Sequence, residues 1–216
     1  MYRRLIPGIV WLIGVQVIVM GGTSDMALAD EIIRPLRDLA EARGKRIGVA
    51  VNAGALEHDP VYRRMVGREF NVITPENAMK HGPLCPAPGE YDFTAGDAIV
   101  SFAEEHGMRV RGHTLVWHNQ LPQWLTEGDY SRDELCGLLR EHIQTLVQHY
   151  RGKVFAWDVV NEALDENGSL RKTIWLERIG PEYIVWAFRW AREADPDALL
   201  FYNDYEHEGG GKRSKA

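Results

Sequence analysis

Asn161 and Glu162 end an apolar run of the sequence, and their side chains suit acid–base chemistry on a hydroxylated ligand. Residues 157–160 are mostly apolar and predict a buried strand, bounded upstream by Gly152 and Lys153. Such strands occur in parallel sheets covered on both faces, and enzymes with these sheets carry their chemistry at the carboxyl ends of the strands. At that place Glu162 can give or take a proton, and Asn161 can donate a hydrogen bond to a bound hydroxyl. The competing interpretation is a structural ion pair between Glu162 and a nearby arginine.

Polar and aromatic residues also follow three other predicted strands. Residues 75–80 follow the second strand, residues 113–120 the third and residues 203–206 the fifth. Because the carboxyl ends of parallel strands share one edge, we expect a cleft there. Trp117 offers a flat apolar face, and the surrounding amides, imidazoles and ammonium group offer hydrogen bonds. Sugars require both kinds of contact, so the cleft suits a carbohydrate.

Strand-like and helix-like segments alternate along the chain without an internal repeat or a low-complexity linker. This order predicts a parallel sheet with right-handed crossovers, as a barrel or as an open sheet. Ser131 and Glu134 have capping-box spacing at the start of a long helix. Trp186 and Trp190 are four residues apart, which predicts helix packing rather than ligand contact. The predicted helices span residues 33–42, 60–68, 94–105, 131–150 and 181–194, and the predicted strands span 46–51, 70–74, 110–117, 154–160 and 199–202.

The first residues have the pattern of an export signal. Arg3 and Arg4 precede an apolar stretch over residues 9–20, and Ala27-Leu28-Ala29 resembles a cleavage site. The stretch is short for a membrane-spanning helix, so the pattern predicts cleavage after Ala29 rather than an uncleaved anchor. We therefore expect a signal peptide over residues 1–29 and one folded domain over residues 30–216. The mature protein is expected to be secreted, to the periplasm or the medium, without stable membrane association.

Composition excludes several other classes of protein. Hydrophobic residues make up 45% of the chain and charged residues 26%, as in ordinary globular proteins. The formal net charge of −6 gives no electrostatic support to nucleic-acid binding. Cys85 and Cys136 lie in different predicted elements, which favours two unpaired thiols over a disulfide. No HExxH motif or Cys/His ligand spacing occurs, so we expect neither a metal site nor a cofactor.

Four segments resemble glycoside hydrolase family 10, the retaining endo-β-1,4-xylanases. They are NVITPENAMK (71–80), YDFTAGDAIVSFAEEHGMRVRGHTLVWHNQLPQWL (91–125), WDVVNEAL (157–164) and LFYNDYEHEGGG (200–211). These segments keep the order and spacing of the family over nearly all of the predicted mature chain.

The resemblance implies a (β/α)8 barrel that hydrolyses the xylan backbone, with xylan or xylo-oligosaccharides as its ligands. It implies that Glu162 is the proton donor and that Asn161 binds the 2-hydroxyl of the sugar next to the scissile bond. It further implies that the glycone subsites are lined by Glu76, Asn77, Lys80, His113, Trp117 and Gln120.

Other polar residues near the predicted cleft have different expected roles. His118 is expected to hold the acid or a loop in place, and Tyr205 to reach the leaving-group side. Asp158 and Asp204 are expected to be structural rather than catalytic. Glu206 replaces the asparagine that is commonest in the family, which leaves a sugar contact at that position open.

The chain departs from the family in length and in one essential group. A barrel of this kind has about 250 residues, whereas the pattern here predicts about five βα units. The catalytic nucleophile of the family is a glutamate on the seventh strand, in an ITELDV-like segment, and no such segment occurs here. Of the strand-end acids, only Glu76 and Asp204 are placed to substitute for it, and the family uses neither.

Three hypotheses follow from these observations. The first is a secreted endo-xylanase represented by the N-terminal part of its barrel, from a truncated or frameshifted gene, and monomeric when complete. The second is a fragment that retains xylan-binding glycone subsites without turnover. The third is an unrelated exported βα protein whose strand-end polar residues are structural.

Overall fold

The computed structural model describes residues 34–205, so the predicted signal segment and residues 206–216, with Glu206, lie outside the described part. Within that range, helices and strands alternate as the sequence predicts. The strands are β1 (Gly48–Val51), β2 (Val72–Pro75), β3 (Arg109–Val116), β4 (Val154–Asn161) and β5 (Leu199–Asn203). The helices are α1 (Leu36–Glu41), α2 (Ala53–His58), α3 (Pro60–Glu69), α4 (His81–Leu84), α5 (Thr94–Glu105), α6 (Gln123–Glu127), α7 (Arg132–His149), α8 (Ile174–Arg178) and α9 (Tyr183–Ala194).

The five strands form one parallel sheet in the order β1-β2-β3-β4-β5. Each strand therefore pairs with its neighbours in sequence, as successive units of a barrel do. Asp158 on β4 lies opposite His113 on β3, and Asn161 on β4 lies opposite Asn203 on β5. All five strands end at the same edge of the sheet, which brings the residues that follow them together. The prediction of an incomplete barrel of about five βα units is confirmed.

The core fills the space between the sheet and the helices on its outer face. The long helix α7 buries Leu135, Leu139, Ile143, Leu146 and Val147. These residues recur at intervals of three and four, so they form one apolar stripe along the helix. Ser131 caps this helix in a complete capping box with Glu134, as its sequence spacing predicts.

A close contact between two strands depends on a glycine. Trp157 on β4 is fully buried, and its indole lies over Gly112 of β3. A Cβ atom added to Gly112 would lie 2.2 Å from the Trp157 ring, a distance that no real side chain tolerates. Gly112 therefore allows the largest side chain of β4 to pack flat against the neighbouring strand.

The predicted elements agree with the observed ones to within three residues, but four short helices were not predicted. The helices α2, α4, α6 and α8 have four to six residues each, too few to show a 3.6-residue repeat. The predicted start of the last helix at Pro181 is wrong, because α9 begins at Tyr183 after a turn.

Two further properties concern the thiols and the helices. Cys85 is buried, Cys136 is half-buried, and both are unpaired. No helix in the range 34–205 has the length and apolar character needed to cross a membrane.

Candidate active site

Lys80, Asn77, Gln120 and Trp117 come together at the carboxyl ends of β2 and β3. Lys80 Nζ donates a hydrogen bond to Asn77 Oδ1 at 3.0 Å, and Gln120 Nε2 donates to the same oxygen at 3.3 Å. The ammonium group also lies 4.6 Å from the centre of the Trp117 ring, within cation–π distance. The Asn77 oxygen is thus saturated by protein, which leaves the amide nitrogen as the group that can meet a ligand.

Burial and two neighbouring carboxylates shift the pKa of Lys80 in opposite directions. Lys80 is only 8% exposed, and this burial lowers the pKa of its ammonium group. The carboxylates of Glu76 and Glu162 act in the opposite direction and raise the pKa. Two carboxylates from different strand ends therefore surround the one buried ammonium group of this cluster.

Glu162 is fixed through both its side chain and its main chain. Its Oε2 accepts a hydrogen bond of 2.9 Å from Trp117 Nε1, and its N–H donates to the Asn203 carbonyl at 2.8 Å. The residue has a φ of 53°, a conformation that non-glycine residues adopt rarely and that clusters at functional sites. Within residues 34–205, Oε2 is the carboxylate oxygen that accepts a hydrogen bond, and it accepts it from the indole.

Arg171 holds the segment that carries Glu162, and sequence reasoning missed it. Its guanidinium donates to the main-chain carbonyls of Glu162 (3.2 Å) and Leu164 (3.0 Å), and to the hydroxyl of Tyr205 (3.3 Å). Among residues 34–205 the carboxylate of Glu162 forms no ion pair, so the arginine that approaches it binds its carbonyl instead. The competing interpretation of Glu162 as half of a structural ion pair is therefore wrong within this range.

Trp175 stabilises the same arrangement through Trp117, and its part in the site was not predicted. Its indole N–H donates to the Trp117 carbonyl at 2.8 Å, and its ring is buried. The chain of hydrogen bonds runs from Trp175 through Trp117 to Glu162. Both missed residues lie in the segment 164–175 after β4, where no periodic pattern marks them as part of a site.

Asp158 on β4 organises a polar cluster with two side chains of β3. It is 2% exposed, its Oδ1 accepts from Arg111 Nε at 3.0 Å, and its Oδ2 lies 2.9 Å from His113 Nδ1. Because a carboxylate only accepts, Nδ1 of His113 carries the proton and Nε2 faces away from Asp158. Asp158 was expected to be structural, and the contacts show what it holds: the orientation of the His113 ring.

Asn161 is oriented by the neighbouring strand. Its Oδ1 accepts a hydrogen bond of 2.7 Å from Asn203 Nδ2, which its register partner on β5 supplies. Among the described residues the Asn161 amide nitrogen has no hydrogen-bond acceptor, so it can donate as expected for contact with a sugar hydroxyl. The sequence placed Asn203 at this edge of the sheet but did not predict that it orients Asn161.

The remaining predicted residues lie at the margin of the cluster around Glu162. His118 packs edge-on to Trp117 with ring centres 5.8 Å apart, and burial lowers its pKa, assisted by the charge of Arg171. Tyr205 is 40% exposed, and its hydroxyl accepts a hydrogen bond from Arg171. Glu76 is exposed and its Oε2 lies 3.5 Å from Asn52 Nδ2.

The cluster combines a positioned carboxyl group, a flat aromatic ring and several directional hydrogen-bond donors. We call it the strand-end site and define it as Asn77, Lys80, His113, Trp117, Gln120, Asn161 and Glu162. In residues 34–205 no group of three or more His, Cys, Asp or Glu side chains is arranged to hold a metal ion. The arrangement suits a neutral, hydroxyl-rich ligand that lies beside the carboxyl group of Glu162.

Comparison with known proteins identifies close relatives. The family model described as glycosyl hydrolase family 10 matches residues 35–216. The chain is 49% identical over 176 residues to endo-1,4-beta-xylanase B of Thermotoga neapolitana, covering 81% of this chain and 51% of that protein. It is 51% identical over 172 residues to beta-1,4-xylanase of Dictyoglomus thermophilum, covering 79% of this chain and 47% of that protein.

Solved structures give the same result. Native xylanase 10B from Thermotoga maritima superposes with a TM-score of 0.81 at 49% identity, covering 84% of this chain and 56% of that one. Xylanase 10B from Thermotoga petrophila RKU-1, solved in complex with xylobiose, gives a TM-score of 0.81 at 48% identity with the same coverage. The chain spans about half the length of each of these four relatives.

Proposed function

The chain belongs to glycosyl hydrolase family 10, and from this premise we propose that it binds the β-1,4-linked backbone of xylan at the strand-end site. We assign Glu162 as the acid/base of a retaining hydrolysis. The sequence resemblance to the family is confirmed, and the hypothesis of an unrelated βα protein is wrong. A relative of 48% identity was solved with xylobiose, which supports a xylo-oligosaccharide as the ligand here.

The hydrogen bond from Trp117 to Glu162 is the observation that carries this proposal. This bond connects two groups with different proposed roles. A sugar would stack on the Trp117 ring, and the carboxyl group of Glu162 would protonate the glycosidic oxygen. The bond engages one carboxylate oxygen, so the proton to be donated resides on the other. A sugar stacked on Trp117 would then place its bridging oxygen beside the acid.

The surrounding groups match the chemistry of xylose units. The Asn161 amide faces the ligand side as a donor, because its oxygen is occupied by Asn203. The His113 Nε2 and the Asn77 amide are likewise left free by their protein partners. Each of these groups can bind a hydroxyl, and none requires a charged substrate.

A retaining hydrolysis also needs a second carboxyl group at about 5–5.5 Å from the first. The resemblance places that group on a later strand, in an ITELDV-like segment that the 216 residues do not contain. We therefore propose that this chain, by itself, binds xylo-oligosaccharides without appreciable turnover. An added nucleophile should then replace the second carboxylate.

Azide provides this test with an aryl β-xylobioside as substrate. Azide attacks the anomeric carbon, the bond to the aryl oxygen breaks, and Glu162 donates its proton to the departing oxygen. We expect azide-dependent release of phenol by the purified chain and its loss in Glu162→Gln. Equal azide-dependent release by the Gln variant would refute the role of Glu162, and hydrolysis of xylan without azide would refute the absence of a nucleophile.

Binding is measured separately by calorimetry with xylotriose. Trp117→Ala should weaken binding by about tenfold, or about 1.4 kcal/mol, because it removes the stacking surface. Val185→Ala, at an exposed position on α9, serves as the matched control. Wild-type affinity in the Trp117 variant would contradict the placement of the ligand.

We also propose that the protein is exported. The charged, apolar and small-residue segments of residues 1–29 support a cleaved signal peptide. Expression in a bacterial host with an intact export system should yield a mature protein that begins at Asp30. Recovery of full-length protein from the cytoplasm alone would contradict this proposal.

A further inference from the structure

A second aromatic groove lies on the helical layer, away from the strand ends. It runs between the packed helices α7 and α9 and has a volume of about 390 Å³, within the range of small-ligand pockets. We call it the outer groove, and it is lined by Arg132, Asp133, Cys136, Trp186, Arg189, Trp190 and Glu193.

Its two indoles are placed differently from those of the core. Trp157 and Trp175 are fully buried, whereas Trp186 and Trp190 each pack one side on the core and remain partly exposed. Their ring centres are 6.1 Å apart with planes inclined by 40°. The helix packing predicted for this pair is only part of its environment, because both rings also border an open groove.

Trp186 is held in place before any ligand arrives. The guanidinium of Arg132 lies 5.2 Å from the centre of its ring and donates to the Ile179 carbonyl at 2.8 Å. A ligand that meets this indole therefore does not have to immobilise it, which reduces the entropic cost of binding.

The charges around the outer groove indicate a neutral ligand. Arg132 and Arg189 are balanced by Asp133 and Glu193, so the lining has no net formal charge. Such a lining does not favour a nucleic acid, which requires an excess of cations. It does supply donors and acceptors for hydroxyl groups beside the partly exposed rings of Trp190 and of Trp186, over which Arg132 lies, and a sugar chain requires such polar groups next to aromatic surface.

We propose that the outer groove is a secondary binding site for a β-1,4-linked xylan chain, separate from the strand-end site. The choice of xylan rests on the proposed function, whereas the choice of a neutral glycan rests on the groove itself. A second site of this kind would hold the protein on a polysaccharide surface while the strand-end site engages a single chain.

Retention of the purified chain on insoluble xylan tests the outer groove, and xylotriose calorimetry tests the strand-end site. We expect Trp186→Ala to lower retention by about fivefold to tenfold and to leave xylotriose affinity unchanged. Val185→Ala is the matched control, since it removes an exposed apolar side chain of the same helix outside the outer groove. Circular dichroism verifies that each variant is folded, and Trp186→Phe should restore part of the retention.

The outcomes separate the two proposals. Retention equal to wild type in Trp186→Ala, with retention lost in Trp117→Ala, would overturn the secondary site and leave the proposed function intact. Retention that depends on Trp186 in a chain that does not bind xylotriose would support the secondary site and count against the proposed function. A Trp186-dependent dimer in analytical ultracentrifugation, with no change in retention, would assign the outer groove to self-association and overturn the proposal.

Discussion

Acid should weaken the fold through a stacked pair of buried imidazoles behind the strand-end site. The rings of His81 on α4 and His142 on α7 are nearly parallel, with centres 3.7 Å apart, and the Tyr91 ring is also nearly parallel to that of His142, with centres 6.0 Å apart. Both histidines are at most 5% exposed, and His81 Nδ1 has no hydrogen-bond partner among the described residues. A proton on either ring would be a buried charge without a counterion in contact.

The structure gives the size of this effect. Burial lowers the pKa of His81 from 6.5 to about 4, and burial together with the neighbouring imidazole also lowers the pKa of His142. At about 1.36 kcal/mol per pKa unit, the shift of His81 alone corresponds to about 3 kcal/mol. The unfolded chain binds the proton first, so this stability is complete above pH 6.5 and is lost as the pH falls toward 4.

Urea unfolding between pH 7 and pH 4 measures the loss, with His81→Phe as the test variant because phenylalanine keeps the stacking and cannot titrate. We expect the wild type to lose about 3 kcal/mol more than the variant over this range. His58→Gln is the control, since His58 is exposed and should leave the pH profile unchanged. An identical pH dependence in wild type and His81→Phe would refute the reasoning.

Protonation of His81 should also weaken ligand binding at the strand-end site. Helix α4 directly follows Lys80, and the N–H of Gly82 donates to the Gln120 carbonyl at 2.7 Å. Displacement of α4 on protonation of His81 would therefore disturb two residues of the strand-end site. Xylotriose affinity should fall between pH 6 and pH 4 in the wild type and fall less in His81→Phe.

Two further substitutions test the packing behind the site. Gly112→Ala should destabilise the fold by about 1–3 kcal/mol, because the new Cβ overlaps the buried Trp157 ring, and an unchanged melting temperature would contradict this contact. Asp158→Asn should cost about 3–5 kcal/mol of unfolding free energy, because it leaves the partly buried Arg111 without its carboxylate. Asp97→Asn, at a half-exposed ion pair with His149, is the control for Asp158 and should cost far less in the same urea titration.

The local order of the fold was predictable because each long element carries its own signal. The capping residues Ser131 and Glu134 and the apolar stripe of α7 lie within one continuous segment, so their spacing alone identifies the helix. The strand-end position of Glu162 was predictable for the same reason, since the apolar run before it marks a buried strand. Parallel pairing then follows, because successive strands joined by helices return in the same direction.

The support around the acid was not predictable. Arg171 lies in an irregular segment and Trp175 in the five-residue helix α8, neither of which shows a periodic pattern, and their contacts with Glu162 and Trp117 depend on how this part of the chain folds back. His81 and His142 are far apart in sequence, and nothing in either local pattern indicates that their rings stack. Contacts of this kind depend on side-chain packing between elements, which a single sequence does not display.

The sequence by itself determined which residues carry chemistry and at which edge of the sheet they lie, because strand ends and caps are local features of the chain. Only the tertiary structure decided which atoms remain free to act. In the described part of the chain, other side chains engage the amide oxygens of Asn161 and Asn77 and leave their amide nitrogens without a protein acceptor. Trp117 occupies one oxygen of Glu162 and leaves the other. The hydrogen-bond capacity left to each group depends on its neighbours in space, and that capacity decides what the site can bind and protonate.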